Sequence, residues 1–324
     1  MRALVTGAPG FIGSFLCKEL INRGIDVSAL ALPGEDVSEL KAQGIEIHFG
    51  DLREPSSFKG ICDNIDVVFH LAGRVTDWGA AHDFYGSIFD TTKNLLDESD
   101  RKASRFVYIS SIAACGLGKH LKGQREEDPV FKSGVTYNDA KLDTEILVRR
   151  CHEEKNLACT VVRPANVIGP NSVWVKDVIE RYQKLFVPLI DHGDHSASLI
   201  YVENLVHGII LAGTLEIGKG KTYHFRDDWE VTWKEYVTDL GAMIGKRPMG
   251  SVPFPLAWYG GLILEKVFTP LNIRPPITRL AAGVMGRNND VDTTKARTEL
   301  GWKTLISYEE AMSRINTWLR TVVA

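Results

Sequence analysis

The chain has 324 residues, 44% hydrophobic and 24% charged, with a formal net charge of −3. That make-up excludes a disordered or collagen-like chain and supports a sizeable core, in one large α/β domain with an appendage or in two domains. Lysine and arginine are spread along the chain, so the electrostatic footprint of a nucleic-acid binder is missing and nucleic acid is not expected as a partner.

Taken in chain order, short β-branched or apolar runs occur at Arg2 to Thr6, Val27 to Leu32, Ile45 to Phe49, Asp66 to Leu71, Arg105 to Ser110 and Cys159 to Arg163. They alternate with segments of helical period, which predicts repeated βαβ units. Val67-Val68-Phe69 and Phe106-Val107-Tyr108-Ile109 are apolar on both faces, as suits central parallel strands covered by helices on two sides. The expected fold is therefore α/β with a doubly wound parallel sheet. Beyond Pro164 the alternation weakens, and Thr232 to Ile244, Pro253 to Val267 and Ser307 to Arg320 read as helices. Residues 1–165 are expected to form the sheet domain and 166–324 mainly a smaller, mostly helical cap, with the segment near 198–215 returning to the sheet.

Five cysteines, Cys17, Cys62, Cys115, Cys151 and Cys159, form no C-x-x-C pair, and their odd number argues against a disulfide framework. Arg2 to Thr6 run into a glycine turn and then Lys18, Glu19 and Arg23, which is no apolar leader. A reducing, cytoplasmic location is expected. The longest uncharged apolar run, Val252 to Leu264, falls short of the ~20 residues of a membrane span and contains Pro253 and Pro255. It is expected to be a buried cap helix, an apolar lid or a segment that lies on a membrane without crossing it.

The first strand runs into Thr6-Gly7-Ala8-Pro9-Gly10-Phe11-Ile12-Gly13, followed by Phe15, Leu16, Leu20 and Ile21 at helical spacing. A strand, a glycine turn and a helix N-terminus make an anion site, because backbone N–H groups approach a pyrophosphate and the helix dipole favours its charge. Gly7, Pro9, Gly10, Phe11, Ile12 and Gly13 are thus candidate dinucleotide contacts; the bland reading is a tight turn without a ligand. Gly50-Asp51-Leu52 follows the third strand and His70-Leu71-Ala72-Gly73 ends the fourth, both at the carboxyl edge where open α/β sheets bind ligands. Asp51 is placed to accept from an adenine amino group, and Leu52, Leu71, Ala72 and Gly73 to line the same edge. Alone, Asp51 reads equally as a turn residue and His70 as a packed histidine.

Tyr137-Asn138-Asp139-Ala140-Lys141 opens a helical segment, so Tyr137 and Lys141 share one face. Lowering a tyrosine pKa from ~10 to neutral takes about 4 kcal/mol. An ammonium about 4 Å away supplies roughly that at an effective dielectric of ~20. Lys141 is therefore expected to bias Tyr137 toward phenolate, the alternative being an ordinary amphipathic helix.

The T-G-x-x-G-F-I-G loop, the G-D-L and H-L-A-G strand ends and the Y-x-x-x-K together resemble the extended short-chain dehydrogenase/reductase (NAD-dependent epimerase/dehydratase) superfamily, over almost the whole chain. The resemblance implies a Rossmann domain with a small C-terminal substrate-binding part, and NAD or NADP as cofactor. It places the catalytic serine on Ser111, with Ser110 left as a turn hydroxyl. Tyr137 becomes the proton donor or acceptor and Lys141 a holder of the nicotinamide ribose. Pro164, Asn166 and Val167, in Arg163 to Pro170, fall in the segment that receives the nicotinamide. His192 and His195 have two-ligand spacing with no third ligand in view, so no metal is expected.

Two departures bear on the branch. Ile88 and Thr91 stand where the superfamily often has an N-x-x-G-T run, and Ala197-Ser198-Leu199 stands where nucleotide-sugar enzymes often carry R-D-F. Ser198 to Leu205, Lys221 to Asp228, Pro275 to Arg279, Asp292 to Ala296 and Leu300-Gly301-Trp302 instead resemble the 3β-hydroxysteroid dehydrogenase, sterol-decarboxylating and dihydroflavonol reductase branch. The expected activity interconverts a secondary alcohol and a ketone on a lipophilic small-molecule substrate, sterol-like or a β-hydroxy acid. The alternatives are a nucleotide-sugar epimerase or dehydratase and a noncatalytic dinucleotide sensor. NAD is expected over NADP because Gly24 through Leu40 holds no Lys or Arg but has Asp26, Glu35, Asp36 and Glu39, although Ala31 and Leu32 replace the usual acid at the end of the second strand. A homodimer is compatible with the sequence, and no feature of it requires one.

Overall fold

A computed structural model describes residues 1–155, 157–184 and 186–322. The amino-terminal half runs β1 (Arg2–Thr6), α1 (Phe11–Asn22), β2 (Asp26–Ala31), α2 (Ser38–Ala42), β3 (Glu46–Phe49), β4 (Val67–His70), α3 (Ala81–Phe84), α4 (Thr91–Ser99), β5 (Arg105–Ile109), β6 (Leu121–Gln124), α5 (Thr136–Glu154) and β7 (Ala158–Pro164). Then follow β8 (Asn166–Ile168), α6 (Val173–Lys184), β9 (Leu189–Ile190), β10 (Leu199–Tyr201), α7 (Val202–Thr214), β11 (Thr222–Phe225), α8 (Trp233–Ala242), β12 (Ser251–Val252), α9 (Phe254–Phe268), α10 (Arg279–Met285), β13 (Asn289–Val291), α11 (Thr294–Leu300) and α12 (Tyr308–Val322).

Seven parallel strands form the main sheet in the order β11-β7-β5-β4-β1-β2-β3. Successive side chains of a strand point to opposite faces, and both faces here are covered. Ala3, Val5, Val67, Phe69, Val107 and Ile109 share one core with Leu16, Leu20, Leu205 and Ile209 of α1 and α7. Leu4, Val68, Phe106 and Tyr108 enter a second core with Leu95, Leu96, Val148 and Cys151 of α4 and α5. This two-sided burial is why the strands read as continuous apolar runs. The chain order reverses between β1 and β4, so the crevice for a ligand opens above the ends of those two strands.

The six strands read from sequence are β1, β2, β3, β4, β5 and β7; the seventh, the edge strand β11, pairs with β7 through Tyr223↔Val162 and Phe225↔Pro164. It lies beyond the point where the alternation fades. Its four residues are all buried and show no period, so only pairing identifies it. α7 packs on α1 and under β4, β5 and β7. Helix α7 and strand β11 thus belong to the sheet layer, while α6, α8, α9, α10 and the short pairs β8–β10, β9–β12 and β6–β13 lie outside it.

Candidate active site

The glycine loop is shaped by close approach. Gly7 has φ +69°, and a Cβ there would lie 2.8 Å from the Ala72 nitrogen. A Cβ at Gly13 would lie 2.1 Å from the Gly7 carbonyl oxygen, so the first turn of α1 fits against the loop only without a side chain. Gly10, the residue before α1, offers no side-chain cap, and the first turn holds no acid. The free N–H groups and the dipole end therefore face outward, which fits a pyrophosphate. Pro9, Phe11 and Ile12 are half-buried beside them and Gly10 is exposed.

The loop is tied to its neighbours through a buried histidine. Thr92 Oγ1 donates to the Ile88 carbonyl at 2.6 Å, so it accepts from His70 Nε2 at 2.9 Å. His70 Nδ1 is then the acceptor, receiving the Thr6 hydroxyl at 2.7 Å while Thr6 Oγ1 accepts from the Ala72 nitrogen. Burial, aided by the Lys141 charge, pushes His70 down to about 3, so it stays neutral in this role. His70 is a packed strand-end histidine that fixes β1, β4 and α4 around the crevice. Leu71 and Ala72 are half-buried and Gly73 exposed along that rim.

At the next rim, Leu52 is buried and its carbonyl accepts from Asn94 at 2.9 Å. Asp51 is engaged by Arg53, whose Nε donates to both carboxylate oxygens at 3.0 Å, and these hydrogen bonds hold the carboxyl below its usual range. An adenine amino group thus meets a carboxylate already paired. At the end of β2 the position of the missing acid is filled from three residues on: Glu35 folds back so that its carboxylate accepts the Leu32 N–H at 2.8 Å. Gly34, with φ +92°, permits that turn.

The expected catalytic residues meet where α5 crosses the end of β5. Ser111 precedes a short 3₁₀ turn, Ile112–Cys115, and its Oγ accepts from the Ala113 nitrogen at 3.1 Å. Asn138, fully buried, donates to the Ala113 carbonyl at 2.6 Å and accepts from Ser133, which pins the start of α5 to this turn. Tyr137, the residue before Asn138, is thereby held beside the Ser111 turn. Burial raises the Tyr137 phenol to about 12, and the Ser111 hydroxyl opposes the rise. Phe84 meets the Tyr137 ring edge-on at 6.4 Å, and Ile88 packs in the same cluster. Ile88, one of the two departures, therefore gives the phenol an apolar neighbour.

Lys141, one turn on, is buried and donates to the Ile109 carbonyl at 2.9 Å. Burial lowers it to about 8, and the Glu145 charge pushes back. The expected pull of Lys141 on the phenol is not what sets Tyr137 here: the ammonium is anchored on β5, and burial dominates the phenol.

Sequence reading missed Glu145, although Tyr137, Lys141 and Glu145 recur at four-residue spacing on one helix face. Glu145 is fully buried, accepts from Ser110 at 2.6 Å, and is gripped by Arg163 Nη2 at 2.7 Å and Arg149 Nη2 at 2.8 Å. Burial raises its carboxyl, but the two arginines and Ser110 outweigh that and leave it below the usual range. Ser110 is thus part of a buried ion network, not a turn hydroxyl. Arg163 continues that network to His224 Nε2 at 3.1 Å, underneath the site.

Pro164, the last residue of β7, and Asn166, whose amide donates to the Ala197 carbonyl at 2.7 Å, are buried; Val167 is half-buried. Gly169 brings this segment to the glycine loop, since a Cβ there would lie 3.1 Å from the Phe11 ring. Ala197, in the place of the nucleotide-gripping cation, is fully buried.

Residues 3–224 match the model of the NAD dependent epimerase/dehydratase family. A 2-alkyl-3-oxoalkanoate reductase of Shewanella oneidensis is 28% identical over 98% of this chain and 86% of its own. A decarboxylating sterol-4-alpha-carboxylate 3-dehydrogenase of Mus musculus is 24% identical over 97% of this chain and 89% of its own. Among solved structures, a UDP-glucose 4-epimerase of Thermotoga maritima superposes with a TM-score of 0.80 at 22% identity, covering both chains completely, which is a likeness of fold. The chain belongs to the NAD dependent epimerase/dehydratase family and is an enzyme of the extended short-chain dehydrogenase/reductase type, with the nicotinamide dinucleotide of that family as its cofactor.

Proposed function

We propose, from that family membership, that the enzyme interconverts a secondary alcohol and a ketone on a lipophilic substrate, either sterol-like or a β-hydroxy acid. The observation that carries this reading is the meeting of Ser111, Tyr137 and Lys141 at the carboxyl edge of the sheet, with Phe84 and Ile88 as apolar neighbours of the phenol. Gly7 to Gly13 and the start of α1 hold the pyrophosphate, Pro164 to Val167 border the nicotinamide, and Lys141 holds its ribose. The dinucleotide, when bound, supplies or accepts the hydride. Ser111 turns its hydroxyl to the substrate oxygen and Tyr137 gives that oxygen its proton on reduction, or takes it on oxidation. A phenol raised by burial stays protonated at neutral pH, the state from which the reductive direction starts. The reading is supported by the 2-alkyl-3-oxoalkanoate and the sterol-4-alpha-carboxylate on which the two relatives act, and by the buried Ala197, which offers no charge to a sugar nucleotide. In this reading the protein works in the cytoplasm, and residues 1–165 with the segment near 198–215 carry the dinucleotide.

The test is net redox turnover. NADH consumption with 2-alkyl-3-oxo acids or 3-ketosteroids, and none with UDP-sugars, is the expected result. Conversion of UDP-sugars without net NADH change would replace this reading by an epimerase. No turnover across alcohols, ketones and UDP-sugars would make the chain a dinucleotide sensor.

A further inference from the structure

Helix α9 turns an apolar stripe to solvent. Leu256, Tyr259, Ile263 and Val267 lie within about 80° of arc at 100° per residue, and they are 67, 63, 63 and 52% exposed. Leu271 and Ile273 continue the surface past the helix end. At its start, the Met249 nitrogen donates to the Val187 carbonyl, which sets exposed Met249 beside exposed Phe186. So many large apolar side chains on one surface are unusual for a face that meets only water.

The helix is not free to roll inward. Phe254, Ala257 and Gly261 form its buried side, and a Cβ at Gly261 would lie 3.1 Å from the Arg279 nitrogen at the start of α10. Glu265 accepts from Arg279 at 2.7 Å, and the Trp258 ring packs against Gly118 and Gly283. This fixed seat keeps Tyr259 and Ile263 outside, so the stripe is not the inner wall of a lid.

Charge selects the occupant. The exposed charged residues between 242 and 276 are Lys246, Arg247, Lys266 and Arg274, and none of the exposed residues there is acidic. Glu265, half-buried, is tied to Arg279, and Arg274 is paired with Asp77 and Asp177. A second copy docking by a two-fold axis would bring this face, whose exposed charges are all positive, against an identical positive face. An anionic lipid layer accepts both the apolar stripe and the cations. No helix is long and apolar enough to cross a membrane, so the contact lies in the plane of the surface.

We propose that α9 and the turn before it dock the enzyme on an anionic lipid surface, with Leu256, Tyr259, Ile263 and Val267 entering the headgroup boundary and Lys246, Arg247 and Lys266 meeting the phosphates. The inference does not depend on which substrate is turned over, and it is tested without turnover. The full chain with NADH is spun with vesicles of phosphatidylglycerol and phosphatidylcholine, and with phosphatidylcholine alone. The protein should sediment with the anionic vesicles, less so as salt rises. Binding should fall at least ~10-fold in the Ile263→Glu, Val267→Glu double variant, because two anchors then carry like charge toward the surface. Hydrogen exchange on the unaltered protein should slow at 246–273 when anionic vesicles are added, which reads the contact even if the variant fails to fold. Absence of sedimentation with anionic vesicles, or unchanged exchange in that segment, overturns the proposal. A concentration-dependent dimer in the absence of lipid, abolished by the same two substitutions, assigns the face to a second copy and overturns it equally.

Discussion

At the scale of single residues, burial outweighs pairwise charge at Tyr137 and Lys141, and pairwise charge outweighs burial at Glu145. Tyr137 and Lys141 are one turn apart, as spacing requires, yet Lys141 donates to Ile109 and the phenol rises to about 12 under desolvation. In the proposed mechanism this hydroxyl moves the proton, and its removal should be felt in turnover. Tyr137→Phe is expected to lower kcat by about 100-fold or more, in the range for losing a general acid, while calorimetric binding of NADH stays within about twofold because the glycine loop is untouched. Near-normal turnover of the folded variant would remove Tyr137 from the mechanism. Asn138 and Glu145 act at one remove: Asn138 clamps α5 to the Ser111 turn, and Glu145 faces Lys141 with a carboxylate that Arg163 and Arg149 hold ionised. Their chemistry is visible only once α5, β5 and β7 are stacked.

At the scale of elements, close packing decides what the loops present. α3 and α4 are joined by a wide turn of π type, Tyr85–Asp90, where the superfamily's usual motif is replaced. Such a turn places an extra residue in the helix and is frequent at functional sites. Here it sets Ile88 against Tyr137 and offers its carbonyl to Thr92. α7 lies on the sheet through glycines: a Cβ at Gly213 would come 2.6 Å from the Phe69 ring, and at Gly208 2.3 Å from the Phe225 ring. Both rings are fully buried and cannot retreat. Gly213→Ala should therefore destabilise the protein by about 1–3 kcal/mol despite alanine's better helix propensity, seen as a lower urea midpoint. A raised midpoint would mean that α7 can shift away from β4 and β5 at no cost.

At the scale of the whole molecule, three of the buried groups respond to acid in opposite senses. Burial lowers His70 to about 3 and His224 to about 4, against an ordinary value of 6.5. Below pH 6.5 the unfolded chain binds these protons and the folded chain does not, so each histidine removes stability as pH falls, by up to ~1.4 kcal/mol per pH unit. Burial raises Asp227 to about 7 from 3.8, so the folded chain binds that proton first and gains stability over the same fall. Two losses against one gain leave a net loss from these three groups as pH falls from 6.5 to 5. In Asp227→Asn the offset disappears and the fall in stability should steepen, measured by denaturation in urea at pH 6.5, 5.75 and 5. An unchanged slope would show that Asp227 is ionised in the folded protein.

The sequence by itself determined the layered α/β order, six strands of the sheet, the glycine loop and the Tyr137 and Lys141 pair, because each rests on local periodicity or on spacing within one element. Runs such as Val67-Val68-Phe69 are apolar throughout only when helices cover both faces, so the doubly wound sheet is legible without coordinates. Tertiary structure decided what depends on distant segments meeting. β11 is a strand only because Tyr223 and Phe225 pair with β7. The Glu145 network joins residues 18 and 35 positions apart. The run from Val252 to Leu264 left three readings open because composition does not say which side of a helix is covered. The close seat of Gly261 on α10 decides that, and leaves Tyr259 and Ile263 facing out.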